Sequence, residues 1–440
     1  MCLTNAKKRG YSMKIANEYS KTIDTKKLTD EAVSEITTIC NDIGPRKPGS
    51  KEELKAQEHM AEYIKSSCNK TEIESFTLHR QGFMGFIPFT VVCGVSSVFL
   101  NWFVSSIAAL IVCIAGIIPL VFEFIMYREF DDFLFPKQTS HNMIATRSPK
   151  GEVKKRIIMV GHSDSQFEWT INALIGKYSD KGGLLAKLIV QIPAVIGLII
   201  QTIFALVCII VSNGSHASVI ESAKWFFILF FVISIVFIPF EVAFIFFQSW
   251  TKSGPGASDN LSGCYTGLCA MKALAEAGIE FENTEVRMIC SGSEEAGLRG
   301  TKAYSREHEK ELKEIPTVVI ALDTFRDIKD MAVYDRDLSG TLQHHWGAKY
   351  LIKDAAANCG MDLSFASIYI GGCDAAPFTQ RKIPATGFAA MNPDPPVYYH
   401  TRYDTPDNLV PEAINIGIDI MVEAICKYDK EGLPQEPKKK

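Results

Sequence analysis

The run Arg156-Ile157-Ile158-Met159-Val160-Gly161-His162-Ser163-Asp164 decides the fold. Its first five residues read as a short strand buried on both faces, because a half-buried strand would alternate apolar and polar positions. The strand runs into a glycine and then His-x-Asp. A histidine at a strand end can take a metal, and a nearby carboxylate can orient its ring. Taken alone, the pair His162 and Asp164 is more often just a surface pair.

Working outward, further apolar strands read at 285–290 and 317–322. Helical periodicity marks 28–39, 51–67, 264–277, 342–358 and 413–428. Strands alternating with helices predict an α/β fold, a largely parallel mixed sheet covered by helices. Catalytic groups in such sheets gather where strands end.

Two blocks interrupt this pattern. Residues 83–127 carry no Lys, Arg or Asp, and Glu123 is their one charge. Residues 184–250 are nearly as apolar, with a polar break over 212–224. A membrane-spanning helix needs about 20 apolar residues, so each block can supply two spans and a turn, the first turn falling near 101–106. Buried core helices would keep a polar face; these runs have none. Each proposed span contains Ile-Pro, at Pro88, Pro119, Pro193 and Pro239, and an acid follows the second and fourth, Glu123 and Glu241. Both acids are expected to reach toward headgroups or water. The chain therefore divides into a catalytic domain in three stretches (1–82, 128–183 and 251–432), transmembrane hairpins at 83–127 and 184–250, and a polar tail at 433–440. The first hairpin falls between strands at 71–76 and 142–146.

Composition excludes other classes. Of 440 residues, 47% are hydrophobic and the net charge is −4, so a folded core is expected and no basic field favours nucleic acid. Twelve cysteines are scattered without a CxxC pair, which argues for reduced thiols. The N-terminal residues lack the apolar core of a signal peptide, and Met13 is an alternative start.

The remaining chemistry lies in turns and at strand ends. Gly256-Ala257-Ser258-Asp259-Asn260-Leu261-Ser262-Gly263 opens the helix at 264; it reads either as a capped glycine loop or as a carboxylate bridging two metals. The strand at 285–290 ends in Ser291-Gly292-Ser293-Glu294-Glu295. Of two adjacent acids, one can ligate a metal while the other acts as base toward a water. The strand at 317–322 ends at Asp323, and Tyr398-Tyr399-His400-Thr401-Arg402-Tyr403-Asp404-Thr405 precedes the last helix. Oxygen and nitrogen ligands without thiolate fit a hydrolytic zinc pair.

In combination these motifs resemble the zinc-dependent aminopeptidase family that includes bacterial leucyl aminopeptidase and glutamate carboxypeptidase. Asp42-Ile43-Gly44-Pro45-Arg46-Lys47-Pro48-Gly49-Ser50 is similar to its N-terminal signature, and Gly372-Cys373-Asp374-Ala375-Ala376-Pro377-Phe378 to a motif near its active site. The resemblance implies two Zn2+ ions, one on His162, Asp259 and Asp323, the other on Asp259, Glu295 and His400. It implies Glu294 as general base, Asp164 as orienter of His162, and peptides as substrates; Tyr399 is the candidate for oxyanion stabilisation. The family usually has His where this chain has Ala375, which implies different substrate contacts. The second hairpin lies between His162 and Asp259, where the family has a short loop.

Arg80, Arg128, Lys137, Lys177, Lys181 and Lys252 flank the hairpins on the catalytic side, against Lys224 opposite. The positive-inside rule then predicts a four-span integral membrane protein with a cytoplasmic catalytic domain. The competing functions are a glutaminyl cyclotransferase with one zinc and a non-catalytic membrane scaffold or receptor. Oligomeric state is not set by the sequence.

Overall fold

The computed structural model describes residues 23–437 except 180–181, 213, 218–220, 222–223 and 395. Met13, Lys181 and the end of the polar tail lie outside the described residues.

Nine strands form one mixed sheet: β1 (Lys70–Leu78), β2 (Gln138–Arg147), β3 (Lys155–His162), β4 (Thr284–Ser291), β5 (Thr317–Phe325), β6 (Met331–Asp337), β7 (Leu342–Gln343), β8 (Ser364–Ser367) and β9 (Ala385–Ala390). The helices are α1 (Thr25–Thr38), α2 (Lys51–Ile64), α3 (Phe86–Phe103), α4 (Ser106–Pro119), α5 (Thr170–Gly176), α6 (Gly182–Ala186), α7 (Ile192–Ser212), α8 (Lys224–Ile245), α9 (Ser262–Glu276), α10 (Arg299–Glu307), α11 (Glu309–Glu314), α12 (Trp346–Asn358), α13 (Ala376–Gln380) and α14 (Pro411–Glu431).

The strand order is β1-β2-β4-β3-β5-β9-β6-β7, with β8 paired to β6. The four central strands β4, β3, β5 and β9 are parallel, and antiparallel pairs flank them on both sides, with β8 joining β6 in parallel. β3 is buried nearly throughout, as its unbroken apolar run requires, whereas edge strand β1 alternates. Leu28, Ile36, Leu268, Met271, Ile418 and Val422 fill the core on one face of the sheet. Tyr304, Leu312 and Phe378 pack against the other. Fully burying one such aliphatic side chain is worth about 1.5–3 kcal/mol. Gly263, at the start of α9, lies so close to β5 that a Cβ there would come 2.4 Å from the Leu322 carbonyl oxygen.

The helix expected over 342–358 begins later, at Trp346. Leu342 and Gln343 pair instead with Asp337 and Arg336, and the His345 side chain accepts from the Ala348 N–H to cap the helix.

Among the described residues, four helical stretches are long and apolar enough to cross a membrane: Phe86–Phe103, Ser106–Ile125, Leu184–Val211 and Lys224–Ile245. The turn of the first hairpin is at Val104 and Ser105. The two hairpins pack together, α3 against α7 and α8, and α4 against α7. Their outward positions are apolar and exposed, among them Phe89, Val92, Ile111, Ile199, Ile210 and Val236, while Thr90, Ser97, Asn101, Gln201, Ser234 and Glu241 are buried inside. A Cβ on Gly116 would lie 2.8 Å from Cys93, so the glycine lets α3 and α4 approach. Neither Glu123 nor Glu241 reaches outward as the sequence led us to expect. Glu241 is 3% exposed and accepts from Gln201 Nε2 at 2.6 Å. Glu123 is 1% exposed and accepts the Phe130 and Asp131 N–H groups at the foot of its hairpin. A buried acceptor in a helix bundle is better satisfied by fixed donors than by a distant interface.

Candidate active site

The central parallel strands deliver the candidate residues to one end of the sheet. His162 closes β3, in register with Ser291 at the end of β4. Glu294 and Glu295 lie in the loop just beyond, and Asp323 sits near the end of β5. Asp259 occupies the loop before α9, where the Asp259–Asn260 peptide is cis. Asn260 fastens this loop to β5: its Nδ2 donates to the Leu322 carbonyl at 2.8 Å and its Oδ1 accepts from Thr324 N at 3.1 Å.

All five proposed ligands and Glu294 line one cleft of about 110 Å³. Asp259 stands between the imidazoles. Its Oδ1 lies 3.1 Å from His162 Nε2 and its Oδ2 3.0 Å from His400 Nε2. Glu295 Oε1 is 3.4 Å from His400 Nε2, and Asp323 Oδ1 is 4.0 Å from His162 Nε2. Glu294 Oε2 is 3.9 Å from His162 Nε2. The Tyr399 ring lines the cleft and stacks on His400 at 3.7 Å between centroids.

Asp164 stands beside His162 as expected of an orienter, its carboxylate 3.6 Å from Nδ1. It also accepts the backbone N–H groups of Glu294 and Glu295 at 3.0 and 3.1 Å. It thus fixes the loop carrying both glutamates, and the atom nearer His162 Nδ1 is the Asp164 carbonyl oxygen, at 3.3 Å.

Several supporting residues carried no signal of their own in the sequence. Asp404 accepts the N–H groups of Ser258 and Asp259 at 2.8 and 2.9 Å. Gln166 donates to Glu295 Oε2 at 2.8 Å. Glu53, buried in α2, accepts from Ser293 N at 2.7 Å. Arg46, fully buried, donates to the carbonyls of Ser163, Pro255 and Gly256 at 2.7, 2.7 and 2.8 Å, bracing the loops on both sides of the His162–Asp259 pair. Arg46 and Asp404 lie inside quoted motifs; Glu53 and Gln166 could be found only through their partners.

The electrostatics call for a cation. Burial and then the charges of Asp374 and Asp323 hold Glu294 well above the usual carboxylate range, against the pull of His162. Burial and Asp259 push Asp323 up to about 7. Burial also opposes ionisation of Asp259, but hydrogen bonds from His162 and His400 outweigh it and hold its pKa below the usual range. Burial lowers the pKa of His400, favouring the neutral imidazole that metals bind. Glu295 Oε1 is buried without a hydrogen-bond partner. One ligand atom each from His162, Asp259 and Glu295 lies within 4.8 Å of the others. The orphaned Glu295 oxygen, the neutral imidazole of His400 and the crowded acids together fit a divalent metal of borderline softness.

A mixed α/β sheet with this donor set at its strand ends defines a metallopeptidase. The profile of Peptidase family M28 matches residues 244–425, and its description agrees with the zinc-peptidase family that the sequence motifs resemble. The match contains Asp259, Glu294, Glu295, Asp323 and His400; His162 and Asp164 join them through the fold. An aminopeptidase from Aneurinibacillus sp. strain AM-1 superimposes with a TM-score of 0.53 at 17% identity, covering 92% of this chain and 94% of that one. A zinc aminopeptidase from Bacillus subtilis gives 0.51 at 16%, covering 93% and 96%. Glutaminyl cyclase from Bacteroides thetaiotaomicron gives 0.51 at 14%, covering 90% and 97%. At these identities the likeness concerns the fold alone. No curated protein sequence matches the chain.

Proposed function

We propose that the protein is a membrane-anchored aminopeptidase with two zinc ions, acting on peptides. The observation that carries this reading is Asp259, whose two oxygens face His162 and His400 separately, with Glu294 beside them. His162, Asp259 and Asp323 would hold one zinc, and Asp259, Glu295 and His400 the other. Zinc bound there would polarise the scissile carbonyl and make water a better nucleophile near neutral pH. Glu294 takes the proton of the attacking water and returns it to the departing amine; its raised pKa suits a group that must both accept and donate. The Tyr399 hydroxyl donates to the tetrahedral oxygen. Asp164 keeps Glu294 and Glu295 aimed through their N–H groups.

Anchoring is supported by the apolar outer surface of the four-helix bundle, where a soluble bundle would be polar, with Gln201 and Glu241 turned inward among apolar side chains. Hairpins at 83–127 and 184–250 then interrupt a catalytic domain lying on the cytoplasmic side, where the flanking lysines and arginines concentrate.

Replacing Glu294 by Gln should lower kcat by at least a thousandfold while two zinc ions per chain remain, read by metal analysis and an aminoacyl chromogenic assay. A fully active variant, or a zinc-free wild type, would overturn the reading. Ammonia release from N-terminal Gln peptides, without peptide hydrolysis, would show a cyclotransferase instead.

A further inference from the structure

One wall of the cleft comes from outside the sheet. Phe83 and Met84 lead into α3, and Phe124 and Tyr127 close the return of the same hairpin; all four line the cleft with His162, Glu294 and His400. The Phe83 ring lies 4.8 Å from that of Tyr127 and 5.9 Å from that of Phe124. Leu298, Leu338 and Ala376 back them. No charge faces the cleft from this wall.

The chain departs from ordinary backbone geometry to build it. Tyr127 has φ 52°, in the left-handed region that a bulky residue adopts only where its surroundings impose it. Lys302 Nζ holds it there by donating to its carbonyl oxygen at 2.6 Å. Across the contact, Gly297 has φ 97°, and a Cβ there would come 2.9 Å from the Phe83 ring. The glycine lets the aromatic wall lie directly against the loop of Glu294 and Glu295. Arg299, the first residue of α10 after that loop, donates to both carboxylate oxygens of Asp132 at 2.7 and 2.8 Å, joining the loop's end to the hairpin's exit.

We infer that the foot of the first hairpin is the pocket for the side chain of the substrate's N-terminal residue, and that it selects large apolar side chains such as Leu and Phe. This rests on the aminopeptidase reading. An uncharged aromatic wall rewards apolar area and leaves a lysine or glutamate head unpaired and desolvated. Specificity is then set by a segment inserted into the fold, while the chemistry stays on the sheet.

The test separates binding from turnover. The zinc-loaded full-length Glu294→Gln protein, in detergent micelles, is titrated calorimetrically with leucinamide, phenylalaninamide, alaninamide and lysinamide, with and without Phe124→Ala. The expected result is binding of the Leu and Phe amides at least ~10-fold tighter than the other two, with Phe124→Ala shrinking that ratio about 10-fold. Met84→Ala, at a half-buried position, gives a smaller change in the same direction and replaces Phe124→Ala if that variant does not fold. Equal binding of all four amides, no binding of any, or a uniform loss in the variants overturns the pocket. Selective binding by a zinc-loaded wild type that hydrolyses none of the corresponding chromogenic substrates leaves the pocket standing and overturns the aminopeptidase reading.

Discussion

Arg46 shows how much of this centre depends on groups that never touch a metal. Its guanidinium satisfies carbonyls on two loops distant in sequence. Lysine has one nitrogen and cannot reach all of them. Arg46→Lys should leave carbonyls unpaired at about 1–3 kcal/mol each, lowering the melting temperature and speeding zinc loss to a chelator. An unchanged melting curve and unchanged zinc retention would show that the loops hold themselves. The candidate ligands were legible because each stands at a strand end or in a turn, and the cleft gathers all of them. Asp164 was legible as a site residue beside His162 but not in its other contact, since nothing in His-x-Asp says that the acid will also serve N–H groups of the Glu294 loop. Glu53 was not legible at all. A glutamate in an amphipathic helix reads as surface until its partner, 240 residues away, is known.

At the scale of elements, the parallel strands were the plainest part of the sequence, because burial on both faces writes an uninterrupted apolar run. The short pairings were not: β7 and β8 hold 2 and 4 residues, too few to show a period. The edge of the sheet carries a pH-sensitive tie. His308, just after α10, meets Glu74 of β1 at 2.9 Å and Glu311 of α11 at 3.1 Å. Hydrogen bonds to Glu311 and Glu74 raise its pKa from 6.5 to about 9. Its folded pKa exceeds its unfolded value, so its contribution is full below about 6.5 and disappears as pH rises through 9. Denaturant melts of His308→Gln against wild type should therefore differ at pH 6 and converge by pH 10. A constant difference across that range would refute the tie.

For the molecule as a whole, both hairpins stand at the edge of the candidate site. The first supplies a cleft wall. The second, just after α8, brings the Phe247 ring to 4.7 Å from Trp169, and Trp169 packs edge-on against His400 at 4.4 Å. If the hairpins span a membrane, as proposed, a site held this close to them suits peptides that arrive along its surface. Replacing residues 184–246 by a short polar loop, with Phe247 and the first hairpin kept, should spare soluble dipeptide hydrolysis and lower kcat/KM for lipid-tethered peptides at least ~10-fold. An equal change on both substrate types would mean that the hairpin only anchors. The hairpins were legible as blocks, from composition alone. Their union into one bundle was not, because Gly94, whose added Cβ would meet Glu241 and Gln201 at 3.1 and 3.2 Å, looks like any glycine in an apolar run.

The position of the second hairpin between His162 and Asp259 also sets an order of events during synthesis. His162 leaves the ribosome before α7 and α8; Asp259, Glu294, Glu295, Asp323 and His400 all follow them. On the membrane reading, the nascent chain passes its second hairpin to the insertion machinery while holding a single ligand. On that reading the other candidate ligands join His162 only after the second hairpin has been handed over.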